Sequence, residues 1–272
     1  MSVESRLRKH LPKHAHEIDR LMALLQSGAP PVVTVVGKYN HGKSSLLNEL
    51  IGSEIFAVAD VRTTVELQPH GTETAQWLDA PGLDADVTGS DDQKAALAAD
   101  FRGDIRLFVH SVKEGELDAE ELRLFREYWA DDKATGRKTL LVLSQADQVP
   151  DGAVLTKVCD TITGQVEGYP HTLVSSTRHQ KGRMEQKNLL VDHSGIPALQ
   201  RVIERAVEGV KSARRVEAAT LADRLDQALK KKGRALRKKR DEMVADAGDV
   251  ETSFLQNMQR AVDTAISMMR SN

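Results

Sequence analysis

Residues 37–44 combine glycines with a lysine and a hydroxyl residue in a pattern suited to holding a phosphate chain. The stretch reads GKYNHGKS and matches G-x-x-x-x-G-K-S/T at every fixed position. Gly37 and Gly42 let successive backbone N–H groups turn inward around a polyphosphate, while the Lys43 ammonium neutralises its outer phosphates. The Ser44 hydroxyl is a ligand for Mg²⁺. These residues predict a site for a nucleoside triphosphate and its divalent cation.

The segments on either side place this loop where such chemistry needs it. An apolar run at residues 32–36 predicts a strand before the loop, and residues 45–51 predict a helix after it. A loop between a strand and a helix N-terminus brings backbone N–H groups towards an anion. We therefore expect the nucleotide to be bound by Gly37, Tyr39, Asn40, His41, Gly42, Lys43, Ser44 and Ser45.

A second candidate group for the metal ion, an acidic residue, and a further glycine follow in the sequence WLDAPG, at the end of another predicted strand. Asp79 could hold the metal ion through water, and the Gly82 N–H could sense the γ-phosphate. Between the two motifs, the sequence VRTT supplies Thr63 and Thr64. We expect Thr64, with Thr63 as the alternative, to bind the metal directly, although paired threonines also open strands for reasons of β-propensity alone.

The choice of purine base is predicted to depend on the sequence LSQAD, which ends a later strand. The Asp147 carboxylate could accept hydrogen bonds from both N1–H and the 2-amino group of guanine, a pair of donors that adenine does not offer. Gln145 lies in the same turn and is expected beside the nucleotide. An aspartate after a strand also occurs for turn reasons alone.

Composition narrows the class of protein. The 272 residues are 40% hydrophobic but only 4% aromatic, so the core must be aliphatic, and base-stacking surfaces cannot dominate the protein. Cys159 is the single cysteine, which excludes an internal disulfide and a zinc site built from cysteines and favours a cytoplasmic location. No apolar run reaches the roughly 20 residues that a transmembrane helix needs.

The pattern of elements predicts an α/β fold with a mostly parallel sheet covered on both faces. After the strand at 32–36, strands are predicted at 64–69, 74–79, 105–110, 139–144 and 171–175, and helices at 45–51, 91–101, 118–131, 152–167 and 195–209. The phosphate loop follows the first strand and therefore lies at the carboxyl edge of the sheet, where ligands bind in such folds.

Three regions are predicted: a helical segment at 1–29, the nucleotide-binding domain at 30–210 and a helical region at 211–272. The last region is interpreted as two helices separated at Gly248, which pack with the N-terminal segment as a small three-helix bundle. Residues 211–240 carry twelve Lys and Arg against three acidic residues, in a chain of net charge −2. The basic stretch 230–240 could contact ribosomal RNA, anionic lipid or only solvent.

Together these motifs resemble the translation-factor class of P-loop GTPases, over residues 30–210. Within that class the stretch GKYNHGKSSLLNELIG is similar to the Era-like and bacterial dynamin-like branches. The resemblance implies a molecular switch that binds GTP or GDP with Mg²⁺, through Lys43, Thr64 and Gly82 among others, and hydrolyses GTP. It also implies a cytoplasmic location, with recruitment to a membrane or to the ribosome as further possibilities.

The chain departs from the family pattern at three places. At the base-recognition motif, Ser144 replaces the usual Asn or Thr, and Gln145 replaces the usual Lys. The sequence SST stands where the family has SAK, and it supports only a backbone contact near Ser176. Leu83 replaces the glutamine that orients the attacking water. By resemblance, Asn40 could instead bind K⁺, and pairing of two nucleotide-binding domains could order the site. The alternatives are an adaptor with negligible turnover and an ATPase.

Overall fold

The apolar runs of the sequence form a sheet. The computed structural model describes residues 2–26, 28–53, 70–71, 75–79 and 103–270, with the backbone alone at 70, 71, 79 and 261–270. The strands are β1 Val32–Val36, β2 His70–Gly71, β3 Gln76–Asp79, β4 Ile105–Ser111, β5 Lys138–Ser144 and β6 His171–Leu173. Their order is β2-β3-β1-β4-β5-β6, and among the strands in the described ranges only the β2–β3 pair is antiparallel. The predicted α/β fold with a mostly parallel sheet is confirmed.

Eight α-helices lie within the described ranges. They are α1 Val3–His10, α2 Ala15–Leu25, α3 Lys43–Ile51, α4 Ala119–Thr135, α5 Gly152–Gln165, α6 Ser176–Met184, α7 Asn188–Asp192 and α8 Ile196–Arg270. The strand predicted at 64–69 and the helix predicted at 91–101 lie outside the described residues. Helices α6 and α7 were missed because α6 is almost wholly polar and shows no apolar stripe, so its start is marked only by the Ser175 side chain, which accepts a hydrogen bond from the Arg178 N–H.

Strand β4 is buried along its whole length because helices cover both faces of the sheet. Leu107 and Val109 belong to one apolar core, which includes side chains of α3 and of the first turns of α8. Phe108 points to the opposite face and meets Phe125 of α4 edge-on, with ring centroids 5.4 Å apart. The alternation of side chains along the strand therefore supplies two separate cores.

A buried ion network joins the N-terminal ends of the central strands to helices α2 and α8. We call its members, Arg20, Asp104, Arg137, Arg214 and Glu217, the basal cluster. Arg20 Nη2 lies 2.9 Å from Asp104 Oδ1 and 2.7 Å from Glu217 Oε2. Arg214 Nη2 lies 2.7 Å from Asp104 Oδ2, which also accepts a 2.7 Å hydrogen bond from the N–H of Val32. The network thereby fixes where β1 begins.

Charges from two arginines decide the ionisation of Asp104. Burial by itself would raise the pKa of this carboxyl, but the hydrogen bond from Arg214 and the charges of Arg20 and Arg214 hold the pKa below its ordinary value. The carboxylate form is thus favoured in the folded protein.

The C-terminal region is one helix, so the prediction of two helices separated at Gly248 is wrong. Helix α8 runs without interruption from Ile196 to Arg270 and contains both Gly233 and Gly248. A glycine inside a helix costs only about 1 kcal/mol relative to alanine, which good helix formers and ion pairs one turn apart can offset. One such pair joins Lys230 to Asp226 at 2.6 Å. Without a break, residues 211–272 cannot supply two helices of a three-helix bundle.

The chain divides into two compact units that differ from the predicted regions. One is Ala15–Ala222; the other combines Met1–His14 with Asp223–Asn272. Helix α2 belongs to the first unit rather than to the C-terminal region, because Ile18 is fully buried there and Arg20 pairs within the basal cluster. In the second unit, Lys232 Nζ donates to the His10 carbonyl. Within the described ranges, none of the helices combines the length and apolar composition that crossing a bilayer requires.

Candidate nucleotide-binding site

The phosphate loop passes directly over the end of β4. Gly37 has a φ of +151°, and a Cβ there would lie 2.2 Å from the carbonyl oxygen of Val109. Gly42, at φ +80°, is the N-cap residue of α3 and provides no side-chain cap. Uncapped N–H groups at the start of a helix are suited to binding an anion. The loop therefore has both the close packing and the open helix end that a polyphosphate requires.

Lys43 lies across this loop. Its side chain is largely buried, and its ammonium donates a 2.7 Å hydrogen bond to the Lys38 carbonyl. Ser44 and Ser45 follow in the first turn of α3 and are partly buried, as is Tyr39 in the loop. The predicted phosphate-binding residues are thus brought together, and Lys43 is held where it can neutralise phosphate charge.

Ser144 and Gln145 tie the base-recognition turn to the phosphate loop. The Ser144 hydroxyl donates to the His41 carbonyl at 2.6 Å, and Gln145 Nε2 donates to the Asn40 carbonyl at 2.7 Å. Gln145 Oε1 in turn accepts a 2.6 Å hydrogen bond from Ser111. The sequence indicated only that a lysine stem was missing here, whereas the structure shows that the two replacements hold the loop by hydrogen bonds.

Asp147 is positioned by the start of α6. Its Oδ1 accepts a 2.5 Å hydrogen bond from the Ser175 hydroxyl, and Ser175 also accepts from the Arg178 N–H as the N-cap of α6. Ser176 follows as the first residue of that helix. The sequence predicted Asp147 and Ser176 as site residues but did not predict that the Ser175 hydroxyl holds the Asp147 carboxylate. The position of Ser175, a serine that caps the following helix, is the signal that could have identified it.

Of the residues predicted to bind the metal ion or to sense the γ-phosphate, only some lie within the described residues. Asp79 is the last residue of β3 and is in register with Val35 of β1, so its backbone lies beside the start of the phosphate loop. Thr63, Thr64 and Gly82 lie outside the described residues, and their predicted roles stay predictions.

Three buried side chains meet beneath the loop, and sequence reasoning had named only one of them. We call His41, His110 and Glu121 the histidine cluster. His110 Nδ1 lies 2.9 Å from Glu121 Oε1, and His41 Nδ1 lies 3.5 Å from the same oxygen. The two imidazole rings meet edge-on at 5.1 Å. Glu121 could have been singled out as the N3 residue of a capping box whose N-cap is Asp118.

The environment of the histidine cluster shifts two pKa values. Burial is the main cause that lowers the pKa of His41; the neighbouring His110 and Lys43 add to this effect, and Glu121 opposes it. Burial would raise the pKa of Glu121, but the hydrogen bond and charge of His110 outweigh it, so this pKa is lowered.

A parallel sheet with a phosphate loop after its first strand defines a P-loop nucleotide-binding domain. Residues 32–145 match the family model described as 50S ribosome-binding GTPase. GTPase Der from Salinispora arenicola is 28% identical over 196 residues, which cover 67% of this chain and 38% of that protein. Over residues 32–145 the chain therefore resembles GTPase domains, as the sequence motifs predicted.

Two further proteins match over more of the chain. An uncharacterized protein of Acinetobacter baylyi is 49% identical over 220 residues, covering 81% of this chain and 52% of that protein. One chain in the structure of an oligomerised bacterial dynamin pair shares the fold, with a TM-score of 0.53, 13% identity, and coverage of 98% of this chain and 52% of that one. The chain thus spans about half the length of the Acinetobacter relative and less than half the length of GTPase Der.

Proposed function

We propose that this chain binds GTP with Mg²⁺ and hydrolyses it as a molecular switch. The observation that carries the proposal is the direct attachment of the base-recognition turn to the phosphate loop through Ser144 and Gln145. This attachment sets Asp147 and the loop at a defined separation, which is what a nucleotide with a base at one end and phosphates at the other requires. Because the chain spans only about half the length of the Acinetobacter relative, this function is proposed for the nucleotide-binding domain alone.

The residues available suit Mg²⁺. Ser44 offers a hydroxyl in the first turn of α3, and Asp79 offers a carboxylate at the end of the neighbouring strand, so both are the oxygen ligands that this hard cation prefers. Thr64, or Thr63, would complete the set. The ion supplies positive charge to the β- and γ-phosphates. Lys43 neutralises the same phosphates, and the Gly82 N–H senses the terminal one.

The test of guanine recognition exchanges Asp147 for asparagine. Replacing one acceptor of a charged hydrogen-bond pair should weaken GTP binding by about 10- to 100-fold. An amide can donate to the 2-oxo group of xanthine, so the Asp147→Asn variant should bind xanthosine triphosphate more tightly than the original chain does. Fluorescence competition with GTP, ATP and xanthosine triphosphate measures all three affinities.

Asp151→Asn is the matched control. Asp151 lies four residues further on and caps α5 through hydrogen bonds from the N–H groups of Ala153 and Val154, a role that asparagine can keep. Its GTP affinity should be unchanged. Tighter binding of ATP than of GTP by the original chain would instead favour the ATPase.

Catalysis is proposed to depend on a cation at Asn40, since Leu83 cannot orient water. Asn40 is exposed and has a φ of +60°, while its carbonyl is held by Gln145 independently of its side chain. Single-turnover GTP hydrolysis should be faster in KCl than in NaCl at equal ionic strength. Asn40→Gly, which keeps the backbone conformation accessible, should remove that difference. Hydrolysis that is undetectable in both salts would favour the adaptor.

Pairing of two nucleotide-binding domains is a second route to an ordered site, and we propose it on the same footing as the cation. Specific activity that rises with protein concentration would support it. An activity per chain that stays constant over a 100-fold range of concentration would count against it.

A further inference from the structure

The histidine cluster gathers three metal-type ligands below the phosphate loop. His41, His110 and Glu121 are each at most 4% exposed, and their ligand atoms all lie within 4.8 Å of one another. The three come from the phosphate loop, the end of β4 and the first turn of α4. Buried ionisable groups are stable only when they are paired or bind a cation.

The hydrogen bonds of His110 show which of its ring nitrogens is available. Its Nε2 lies 3.0 Å from the Gly115 carbonyl oxygen, an acceptor, so the proton belongs on Nε2. In the neutral ring, Nδ1 then carries a lone pair, and it faces Glu121 Oε1 at 2.9 Å. Two acceptors at that distance require a proton or a cation between them. A histidine oriented by a backbone carbonyl is also the usual arrangement of a metal ligand.

Glu121 is oriented in a comparable way. Its Oε2 accepts a hydrogen bond from the Asp118 N–H at 3.2 Å, which leaves Oε1 directed at both imidazoles. His41 Nδ1 is 3.5 Å from Glu121 Oε1 and 3.4 Å from the Val109 carbonyl oxygen, an acceptor to which a protonated Nδ1 would donate, so a metal ion bound at this nitrogen would have to displace its proton. Three potential metal-ligand atoms, one from each side chain of the histidine cluster, therefore lie close together.

We propose that the histidine cluster is a structural site for a divalent transition-metal ion of the Zn²⁺ class. Two imidazoles and one carboxylate suit Zn²⁺ or Co²⁺, whereas Mg²⁺ and Ca²⁺ prefer oxygen ligands alone. Bonds of about 2.0–2.2 Å in a tetrahedral arrangement place neighbouring ligand atoms roughly 3.3 Å apart. The two separations from Glu121 Oε1, 2.9 and 3.5 Å, lie on either side of that value, and all three ligand atoms lie within 4.8 Å of one another, so the imidazoles would have to move closer together to bind one ion.

Such an ion would link the phosphate loop to β4 and α4. It is separate from the Mg²⁺ proposed at Ser44 and Asp79, and it does not depend on the chain's being a GTPase. A second link between the loop and α4 is already present in the ion pair of Lys38 with Asp118.

The test titrates Co²⁺ into the full chain after treatment with a chelator. One ion per chain should bind and give the visible absorption of a tetrahedral nitrogen and oxygen site. Glu121→Gln and His110→Gln should each weaken binding by more than about 10-fold, since changes even to groups that only orient a ligand cost 10- to 100-fold. X-ray absorption of the original chain loaded with Zn²⁺ should show two imidazoles, a result that does not depend on how well either variant folds.

Two controls separate this site from other histidines. His179→Gln alters another buried histidine, whose Nδ1 lies 2.5 Å from Glu49 Oε2, and should leave the affinity unchanged. Combined replacement of His10, His14 and His16 by asparagine removes a group of histidines near the N-terminus and should also have no effect. Absence of stoichiometric binding, unchanged affinity in Glu121→Gln, or a zinc spectrum without imidazole would overturn the proposal and leave a shared proton in the cluster.

Discussion

Strand β4 has a buried charge cluster at each end, and the two are built from different bases. At its N-terminal end, Asp104 of the basal cluster faces the guanidinium groups of Arg20 and Arg214. At its C-terminal end, Glu121 faces the imidazoles of His110 and His41. Both clusters connect a strand to helices.

The two clusters differ in whether their basic side chains can lose a proton and become neutral. A guanidinium stays protonated at any pH that the fold survives, so removing its carboxylate partner leaves a buried charge that nothing can neutralise. An imidazole can release its proton, or exchange it for a metal ion, and so tolerates the loss of its partner better. The basal cluster is therefore suited to fixed support, and the histidine cluster to a site whose occupancy can change.

Glu217→Gln should give the largest loss of stability. It removes a carboxylate that lies 2.7 Å from Arg20 Nη2 and 3.6 Å from Arg137 Nε, and both arginines stay charged. We expect the free energy of unfolding to fall by about 3–5 kcal/mol, measured by urea denaturation followed through tryptophan fluorescence. A loss below about 1 kcal/mol would contradict the fixed-support interpretation.

Glu121→Gln should cost less. With metal removed by a chelator, the substitution leaves no side chain of the cluster that must stay charged, because an imidazole also exists as a neutral ring, so only hydrogen bonds are lost. We expect a decrease of about 1–3 kcal/mol in the same urea experiment. A decrease equal to that of Glu217→Gln would remove the distinction between the two clusters.

The pH dependence of the basal cluster should lie at acidic pH. The folded-state pKa of Asp104 is lowered, so its contribution to stability is complete above the ordinary aspartate pKa of about 3.9 and is lost as the pH falls through the folded value. The stability gap between the original chain and Asp104→Asn should be constant from pH 7 to 5. Below about pH 4 it should shrink by at most about 1.4 kcal/mol per pH unit. A gap that stays constant down to pH 3 would contradict the assignment.

An exposed ion pair gives the smallest expected effect. Arg123 Nη1 lies 2.7 Å from Glu127 Oε1 one turn along α4, and both side chains are more than half exposed. Because solvent screens such a pair, Arg123→Ala should change the free energy of unfolding by no more than about 0.5 kcal/mol. A larger change would show that burial is not what separates the basal cluster from surface pairs.

The local patterns of the sequence determined much of the fold and the phosphate site. Strands β1, β4 and β5 were predictable because each is mostly apolar, and the loop at 37–44 was predictable because glycine, lysine and serine are needed at fixed spacing. Asp147 could be named from its place after a strand. The continuity of α8 could not, since a glycine weakens a helix without deciding whether it ends.

The tertiary structure alone decided which distant residues meet. Nothing local to Gln145 shows that its amide reaches the Asn40 carbonyl, 105 positions away, and nothing local to His110 shows that it faces His41 and Glu121. The parallel sheet brings the carboxyl ends of β1, β4 and β5 to one edge, so residues that are remote in the chain become neighbours there. The phosphate loop could be predicted from its own residues, whereas the side chains that contact it are brought there by the packing of the sheet and helices.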